Sequence, residues 1–358
     1  MKNEKILFFL ILLFIGLYIF IKPQNIISHI EWNTIIFLSG LIMITKAMEE
    51  SNYFFVLSEI LVNKLNYKRN LVMFLIFISI FFSMFLTNDI TLFIIIPFTT
   101  KLKKVLKGDY LKTIFLEIIS VNVGSELTPI GNPQNVFIWQ KYNITFSSFI
   151  LNLLPLFIFQ FILIYVFIVI LIKNEKIDIY FEKENYEHRN FYISLLFLIL
   201  FIFATKNNFS LYALILFSLY YIFFDYKVIR KADWNLIFTF ILFFINFGMI
   251  SEINIVKDII SHINLENDFS LLSTSVILSQ LISNVPATIF ISSFSDNWNI
   301  ISIGVNLGGT GFVLGSLANI IGLRLSGNIS KINLFHIYSF SFFIISYIFT
   351  VIYYNPHL

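Results

Sequence analysis

The sequence predicts an all-α, polytopic membrane protein built from inverted-topology repeats, with about nine transmembrane helices, two re-entrant hairpins and two broken helices. Hydrophobic residues make up 58% of the 358-residue chain and charged residues 13%, and the mean hydropathy is +0.85. Apolar runs of about twenty residues, each long enough to cross the hydrocarbon core, recur along the chain. One polar pattern interrupts these runs twice, which indicates an internal repeat.

The composition also excludes several classes of function. The formal net charge of +3 is too small to favour a nucleic-acid partner. The chain has no cysteine, which excludes thiolate chemistry, and its five histidines form no HExxH motif. Residues 6–21 follow Lys2 and Lys5 but no small-x-small cleavage site follows them, so we predict a transmembrane helix there rather than a signal peptide.

The repeated pattern is a fourteen-residue segment. Residues 122–135 read NVGSELTPIGNPQN and residues 306–319 read NLGGTGFVLGSLAN. In both segments asparagine stands first and last, and glycine stands third and tenth. Only 13 of the 358 residues are glycine, so matched glycine and asparagine positions indicate a repeat rather than coincidence.

Each segment interrupts an apolar helix, which we predict to be broken within residues 113–140 and 298–325. In hydrocarbon, each freed amide or carbonyl costs several kcal/mol unless it finds a partner. Broken helices therefore occur where the backbone is buried in protein or lines a cavity, and there their ends can bind ions. The alternative is a glycine and proline kink that serves packing alone.

A re-entrant hairpin is predicted for residues 71–100. Thirty residues of straight helix would measure about 45 Å, which is too long for one crossing. The polar residues Thr87, Asn88 and Asp89 interrupt the run just past its middle. Lysine and arginine flank both of its ends, which places both ends in the cytoplasm. The flanking basic residues are Lys64, Lys68, Arg69, Lys101, Lys103, Lys104, Lys107 and Lys112.

The second half of the chain repeats this order with the opposite orientation. Trp234 echoes Trp32, and a second hairpin is predicted for residues 271–295, with a polar break at Ser283 and Asn284 and with acidic rather than basic flanks. Both of its ends are therefore placed outside, which predicts inverted repeats with a site near the membrane midplane.

The predicted domains follow from this arrangement. Residues 1–172 form the first repeat, residues 173–208 a cytoplasmic linker with a connecting helix, and residues 209–358 the second repeat. Residues 46–66 and 251–267 alternate polar and apolar positions and are predicted to lie along the membrane surface. Nine crossings place the N-terminus in the cytoplasm and the C-terminus outside.

Asp89 and Glu126 are the informative charges of the predicted site. An ionisable group at membrane depth is costly and usually functional, and either carboxylate could bind Na⁺ or a proton. For Asp89 the alternatives are a solvated carboxylate near the cytoplasmic mouth or an N-cap of the returning helix. No lysine or arginine lies in either segment, so amides and helix N-termini would hold an anion. The carboxylates would oppose that anion unless a cation loads with it.

The remaining candidates are amides, hydroxyls and glycines at the hairpin tips and in the two segments. For each asparagine, structural hydrogen bonding is an equal alternative to ligand binding. The candidate substrate- and ion-binding residues are Thr87, Asn88, Asp89, Asn122, Gly124, Ser125, Glu126, Thr128, Asn132, Asn135, Ser283, Asn284, Asn306, Gly308, Gly309, Thr310 and Asn319. The candidate Na⁺ ligands among them are Asn88, Asp89, Asn122, Asn284 and Asn306.

At these residues the sequence resembles the ion transporter superfamily of divalent anion/sodium symporters, arsenite-efflux permeases and NhaD-type sodium/proton antiporters. The symporters carry Ser-Asn-Thr at their hairpin tips and a Gly-Thr-Pro-Pro-Asn-like run in the broken helix. Here the tips are residues 87–89 and 283–285, and residues 131–135 read GNPQN. Asp89 and Val285 replace hydroxyl residues, which weakens the case for dicarboxylate recognition. The resemblance implies an elevator-type carrier that forms a homodimer.

These observations predict a secondary active carrier in the cell membrane for a small inorganic or organic anion. Na⁺ or H⁺ would be the coupling ion, and no other cofactor is expected. The lipid bilayer would surround the protein. The alternatives are a Na⁺/H⁺ antiporter that uses Asp89 and Glu126, a passive channel, and an intramembrane enzyme with the same two carboxylates as its catalytic pair.

Overall fold

The computed structural model describes residues 3–21, 26–51, 53, 65–177 and 188–354, and it is helical along most of their length. Within these described ranges, four helices are long and apolar enough to cross a membrane: Phe146–Leu171, Arg189–Lys206, Trp234–Glu252 and Ile329–Tyr354. Shorter apolar helices span Leu7–Ile21, Ser210–Phe224 and Asp268–Ile282. The chain is therefore a polytopic helical membrane protein.

The first half contains eight described helices. They are α1 (Asn3–Ile21), α2 (Trp32–Glu50), α3 (Lys68–Ser83), α4 (Asn88–Lys101), α5 (Lys103–Leu106), α6 (Tyr110–Glu126), α7 (Pro133–Lys141) and α8 (Phe146–Leu171). In the second half the described helices are α9 (His188–Lys206), α10 (Ser210–Phe224), α11 (Tyr226–Lys231), α12 (Trp234–Glu252), α13 (Asn254–Ser261), α14 (Asp268–Ile282), α15 (Asn284–Ile291), α16 (Trp298–Gly308), α17 (Leu317–Leu325) and α18 (Ile332–Tyr354).

Local sequence explains where several of these helices begin. The side chains of Asp233, Asn267 and Asn297 accept hydrogen bonds from the backbone N–H three residues later, at the starts of α12, α14 and α16. These are N-caps, which satisfy amides that have no partner within the helix. Pro133 is the first residue of α7, where a missing N–H costs nothing.

The helices form two bundles that meet along a shared face. Helices α1, α2 and α9–α12 pack against one another and form the α2 bundle, in which Phe37 stacks on Phe201 with ring centroids 5.1 Å apart. Helices α3, α4, α6–α8 and α14–α18 form the α6 bundle. Contacts of α2 with α7 and of α12 with α15 join the two bundles. Both interrupted segments of the sequence lie in the α6 bundle.

Two helix pairs occupy the positions of the predicted hairpins, and each is interrupted differently. In the first pair, α3 ends at Ser83 and α4 begins at Asn88, so residues 84–87 form the turn. In the second pair, Ser283 alone separates α14 from α15, with φ of 74° and ψ of 153°. This left-handed conformation is costly for a residue other than glycine, and the surrounding packing must impose it.

The structure corrects one expectation for Asp89. Thr87 occupies the N-cap position of α4, and Asp89 lies in the first helical turn, so the interpretation of Asp89 as the N-cap was wrong. Its backbone N–H donates to the side chain of Asn88 at 2.9 Å. An acidic group in the first turn still interacts favourably with the helix dipole.

The two predicted surface stretches have different outcomes. Helix α2 continues to Glu50, and residues 54–64 of the first stretch lie outside the described part of the chain. In the second stretch, α12 ends at Glu252 and the short helix α13 follows, with no buried residue. Whether either stretch lies on the membrane surface stays a prediction.

A cluster of charges ties the start of α3 to the segment after α8. The Lys68 ammonium, on a residue that is 3% exposed, contacts Asp109 at 3.1 Å and Glu175 at 2.6 Å, and Lys112 contacts Asp109 at 2.9 Å. Burial by itself would raise the pKa of Asp109, but hydrogen bonds and charge from Lys112 and Lys68 outweigh it and hold the pKa below its usual value. The cluster therefore stabilises the fold while Asp109 is ionised.

We expect Lys68→Met to lower the free energy of unfolding at pH 7 by about 1–3 kcal/mol, because it leaves a buried carboxylate with one cation fewer. The depressed pKa means that the contribution of Asp109 is complete above the unfolded-state pKa of about 3.9. It is lost as the pH falls through the lower folded-state value, so parent and variant should converge below about pH 4.

Thermal unfolding in detergent at neutral and acidic pH measures this difference. The exposed residue Lys104, in the connection between α4 and α6, supplies the control variant Lys104→Met. Equal losses of thermal stability in the two variants at pH 7 would contradict the role given to the cluster. So would a difference in stability between parent and Lys68→Met that persists unchanged in acid.

Candidate functional site

Two reciprocal amide pairs connect the interrupted segments. The Asn122 Nδ2 donates to Asn319 Oδ1 at 2.8 Å, and the Asn306 Nδ2 donates to Asn135 Oδ1 at 2.7 Å. The first asparagine of each segment thus bonds the last asparagine of the other segment. All four residues are at most 4% exposed. The pairs therefore hold the two breaks, residues 127–132 and residues 309–316, against each other inside the bundle.

The closing asparagines also satisfy the unwound backbone. Asn135 Nδ2 donates to the carbonyls of Ser125 and Thr128, at 3.0 and 3.2 Å. Asn319 Nδ2 donates to the carbonyls of Gly309 and Phe312, at 3.0 and 3.1 Å. These acceptors are the fourth and seventh residues of their segments in both cases. Because an unpaired buried carbonyl is costly, this bonding allows both breaks to persist in an apolar environment.

The opening asparagines share a second contact. Asn122 Nδ2 also donates to Ile118 O at 3.0 Å, and Asn306 Nδ2 donates to Ser302 O at 2.8 Å, four residues earlier in each helix. Structural hydrogen bonding, the alternative to ligand binding, therefore holds for the amide nitrogens of all four asparagines. Their oxygens differ between the segments.

That difference leaves one oxygen without a partner. Asn306 Oδ1 accepts from Gln134 Nε2 at 3.0 Å, whereas Asn122 Oδ1 is buried and has no hydrogen-bond partner within the described residues. The position of Gln134 in the first segment is taken by Ala318 in the second, which offers no amide. Asn122 Oδ1 is therefore a buried acceptor that a cation or a donor group could use.

The third residue of each segment is a glycine because the helix pairs approach closely. A Cβ on Gly124 would lie 2.2 Å from the carbonyl oxygen of Ile80 in α3. A Cβ on Gly308 would lie 2.5 Å from the Cβ of Ser279 in α14. Both glycines therefore allow close packing of a broken helix on its helix pair, and their role in ligand binding stays a prediction.

The turns of the two helix pairs lie beside the breaks. The Asn88 N–H donates to Gly131 O at 3.2 Å, which joins the start of α4 to the first break. Asn284, at the start of α15, has a buried Nδ2 with no hydrogen-bond partner within the described residues. That nitrogen would lie 3.4 Å from a Cβ on Gly309, so it lies next to the second break. An unpartnered donor beside a helix N-terminus suits a ligand oxygen.

The predicted hydroxyl groups mostly bond the backbone. Ser125 donates to Asn122 O at 3.0 Å, and Thr310 donates to Leu307 O at 2.7 Å. Thr128 accepts from the Gly131 N–H at 3.1 Å. These groups therefore shape the breaks. The predicted site residues that are buried are Thr87, Asn88, Asn122, Gly124, Ser125, Glu126, Thr128, Asn132, Asn135, Ser283, Asn284, Asn306, Gly308, Gly309, Thr310 and Asn319.

Asp89, the remaining predicted residue, is half-buried and lines a cleft of about 510 Å³. Among the described residues, two lysines and three acidic residues face this cleft. Lys46 bonds Glu49 at 2.9 Å, and Lys231 bonds Glu50 nearby. The lining residues are Ile42, Lys46, Glu49, Thr87, Asp89, Ile90, Phe93, Lys231, Ala232, Asp233, Leu236, Ile321 and Leu325. The cleft thus connects charged helix ends to the turn of the first helix pair.

The structure does not bring Asp89 and Glu126 together as one carboxylate pair. Asp89 interacts electrostatically with Asp233, at the start of α12. Glu126 is fully buried, both of its carboxylate oxygens are without a hydrogen-bond partner within the described residues, and it does not line the cleft. The fold therefore does not form an exchange site or a catalytic pair in which the carboxylates of Asp89 and Glu126 are in contact.

Three further polar residues lie near the breaks and were not among the residues predicted from the sequence. Glu117 in α6 is fully buried and accepts a hydrogen bond from Thr99. Gln280 bonds Gly308 O at 2.8 Å, and His336 Nε2 accepts from the N–H of Val313 at 3.0 Å. Glu117 could have been recognised as a charge within an apolar run. Gln280 and His336 gave no signal, because their roles depend on which helices are neighbours.

Two broken helices with buried polar breaks, set in an apolar helical bundle, define a membrane transporter of the secondary class. The profile of the family described as citrate transporter (CitMHS) matches residues 3–296. The chain is 32% identical over 343 residues to the inner membrane protein YbiR of Escherichia coli, covering 95% of this chain and 92% of that protein. The chain belongs to the citrate transporter family.

Two further relatives are named as transporters. An uncharacterized transporter of Methanocaldococcus jannaschii is 37% identical over 316 residues, which cover 86% of this chain and 85% of that protein. The putative transporter arsB of Dictyostelium discoideum is 31% identical over 129 residues, 36% of this chain and 23% of that protein. The chain is therefore an integral membrane transporter of the anion-permease type and not an enzyme.

Gly124→Ala should destabilise the protein by about 1–3 kcal/mol, because the added methyl group meets backbone of α3 that cannot move aside cheaply. Thermal unfolding of the purified variant in detergent measures the loss. Gly16→Ala in α1 is the matched control, since nothing lies within 4 Å of a Cβ there. If Gly124→Ala were as stable as Gly16→Ala, the close approach of α6 to α3 would be wrong.

Proposed function

We propose that the chain is a secondary active carrier for a small carboxylate or oxyanion, coupled to Na⁺ or H⁺, and that it works by elevator-type alternating access. The observation that carries the proposal is the reciprocal bonding of the two interrupted segments. Asn122 bonds Asn319 and Asn306 bonds Asn135. A contact that recurs with its two members exchanged is what a two-fold axis produces. This supports two repeats related by such an axis, with the ligand site between them.

The orientation of the repeats rests on charge. Basic residues at the ends of the first helix pair and in α11 favour a cytoplasmic location for those ends. The contact between Lys231 and Glu50 then joins cytoplasmic ends of α11 and α2, and the contact between His29 and Glu252, at 3.7 Å, joins outer ends. In this orientation the helix pairs are re-entrant hairpins from opposite sides. The N-terminus lies in the cytoplasm and the C-terminus outside.

Recognition of an anion would use helix N-termini and amides. Four helices begin at the breaks or at the turns beside them: α4, α7, α15 and α17. Each N-terminus carries partial positive charge, which favours the binding of carboxylate and oxyanion groups. Asn284 Nδ2 adds an unpartnered donor next to Gly309. The family description favours citrate or a similar carboxylate as substrate.

The electrostatics of the cleft support coupling to a cation. Its lining carries Lys46 and Lys231 but three acidic groups, Glu49, Asp89 and Asp233. A polyanion that passes through would meet an excess of negative charge, and a cation bound nearby would reduce that repulsion. Asn122 Oδ1, among the candidate Na⁺ ligands, is the amide oxygen left without a partner in the described structure.

The two bundles suggest which parts would move. The α6 bundle contains both breaks and both helix pairs, so it would carry the ligand as a unit. The α2 bundle would form the fixed part and the contact of a homodimer. A Na⁺/H⁺ antiporter is the second candidate function, and it is favoured by the Asp89 carboxylate at the cleft, which forms no ion pair with the described residues.

In proteoliposomes, we expect saturable citrate uptake that depends on an imposed Na⁺ or pH gradient and that shows counterflow. Asp89→Asn should reduce gradient-driven uptake by about tenfold or more, because it removes a carboxylate that draws cations into the cleft on their way to the coupling site. Asp258→Asn on the exposed surface of α13 is the matched control and should transport normally.

Transport of labelled citrate, and of other small carboxylates and oxyanions, measures these effects. Na⁺-dependent proton movement that needs no anion would instead establish the antiporter. Flux that never saturates and shows no counterflow would exclude a carrier of either kind.

A further inference from the structure

Three buried polar side chains without partners come from three helices that pack together. Glu126 ends α6, Gln160 lies in the middle of α8, and Ser346 lies in the middle of α18. Each residue has 0% exposure. Both carboxylate oxygens of Glu126, both amide atoms of Gln160 and the Ser346 Oγ have no hydrogen-bond partner within the described residues. Helices α6, α8 and α18 contact one another pairwise.

Glu126 and Ser346 lie at a similar height along α6 and α18. Phe115 of α6 contacts Phe335 of α18, with ring centroids 5.7 Å apart. Glu126 follows Phe115 by eleven residues, and Ser346 follows Phe335 by eleven residues. Eleven residues are about three turns, so each polar side chain returns to the face of its phenylalanine, roughly 16 Å further along.

The two helices also run in the same direction. Lys112, near the start of α6, donates to Leu171 O at the end of α8 at 2.9 Å, so α6 and α8 are antiparallel. The Tyr354 hydroxyl, at the end of α18, donates to Asn152 O near the start of α8 at 3.0 Å, so α8 and α18 are antiparallel as well. Going from Phe115 to Glu126 along α6 is therefore the same direction as going from Phe335 to Tyr354 along α18. Glu126 and Ser346 consequently lie at a similar height along two neighbouring helices.

Gln160 reaches the same level from α8. Phe159 stacks on Phe349 of α18, with centroids 3.9 Å apart, and the Tyr354 hydroxyl donates to Asn152 O at 3.0 Å. These contacts fix an antiparallel register that brings Gln160 to the level of residues 346–349. Leu156 and Ile164, one turn to either side, are also fully buried, so Gln160 lies on the face of α8 that points into the bundle.

A carboxylate in this position needs a neutralising partner. An isolated ion in an apolar interior is too costly to persist, and no described lysine, arginine or histidine pairs with Glu126. Gln160 Oε1, Ser346 Oγ and the carboxylate are oxygen ligands of the kind that hard cations accept. Asn122 Oδ1, one turn before Glu126 and also unpartnered, adds another. Gln160 Nε2 can donate to a carboxyl group when a proton is bound instead.

We propose that Glu126, Gln160 and Ser346 form the site of the coupling cation, which takes Na⁺ or H⁺. The proposal rests on the proposed carrier function and specifies the cation site within it. The site is distinct from the cleft that contains Asp89. It adjoins the reciprocal asparagines, because Asn135 Nδ2 also donates to the carbonyl oxygen of Glu126 at 3.2 Å. Occupation of the site is thereby linked to the geometry of the first break.

Other titratable groups are carried by the helices around this site. They are Tyr110, Lys112 and Glu117 on α6, Tyr165 on α8, Arg324 on α17, and His336, Tyr338, Tyr347, Tyr353 and Tyr354 on α18. Helix α16 carries none. Glu117 lies nine residues before Glu126, about 13 Å along the helix, and its carboxyl group accepts a hydrogen bond from Thr99.

The test measures cation binding to the purified full-length protein without an anion. One arm varies Na⁺ at fixed alkaline pH, and the other varies pH in Na⁺-free buffer, with the apparent melting temperature as the readout. We expect the parent to be stabilised by Na⁺ in the first arm, by protons in the second, or by both. Glu126→Gln should abolish that response and should melt higher than the parent when neither cation is available, because it removes the buried charge.

Gln160→Leu and Ser346→Ala test the two residues that complete the site. Each should raise the half-saturating concentration of the effective cation by about tenfold, which corresponds to one lost ligand. Ser341→Ala, on the exposed face of α18, is the matched control and should respond as the parent does. A parent-like response of Glu126→Gln would overturn the proposal, and so would unchanged half-saturation in both Gln160→Leu and Ser346→Ala.

Failure of the carrier function is distinguishable from failure of this site. If cation binding depends on these residues but no anion is transported, the cation site is supported and the anion-carrier function is contradicted. If anion exchange across the membrane proceeds while the melting temperature of Glu126→Gln responds to cations as that of the parent does, the carrier function is supported and the cation site is contradicted.

Discussion

The buried amide pairs of Asn122 with Asn319 and of Asn306 with Asn135 hold together two stretches of unwound backbone inside an apolar bundle. Each break frees carbonyl groups that lipid cannot satisfy, and the closing asparagine of each segment donates to those carbonyls. Each asparagine also bonds across to the other segment. The breaks therefore depend on each other, and together they position the helix N-termini on which an anion site would be built.

The two segments use the same bonds but differ in the groups that remain free. Gln134 satisfies Asn306 Oδ1, and the corresponding Ala318 leaves Asn122 Oδ1 unpaired. Glu126 corresponds in position to Thr310, whose hydroxyl bonds the backbone of its own helix. The departures from the repeat thus place the buried carboxylate and two amide oxygens without a described partner, Asn122 Oδ1 and Gln134 Oε1, in the first segment.

The two carboxylates that the sequence singles out lie in different environments. Asp89 begins α4 and borders a cleft with Lys46 and Lys231, where solvent and counter-charges are near. Glu126 ends α6, is fully buried, and forms no ion pair or hydrogen bond with the described residues. Because burial makes an unpaired charge costly, the ionised form of the Glu126 carboxyl group is less favourable than that of Asp89.

The sequence by itself determined the class of protein, the existence of the two breaks and the four asparagines that matter in them. The lengths of the apolar runs, the charges at helix ends and the residues that match between the two segments are properties of short stretches of sequence. Each of them reflects the lipid environment rather than the packing of neighbouring helices. Tertiary structure alone decided which asparagine bonds which, that Asp89 and Glu126 face different surroundings, and that Gln160 and Ser346 lie level with Glu126. Helix faces and heights are set by packing between distant segments, such as Phe115 on Phe335, and no local pattern encodes that contact.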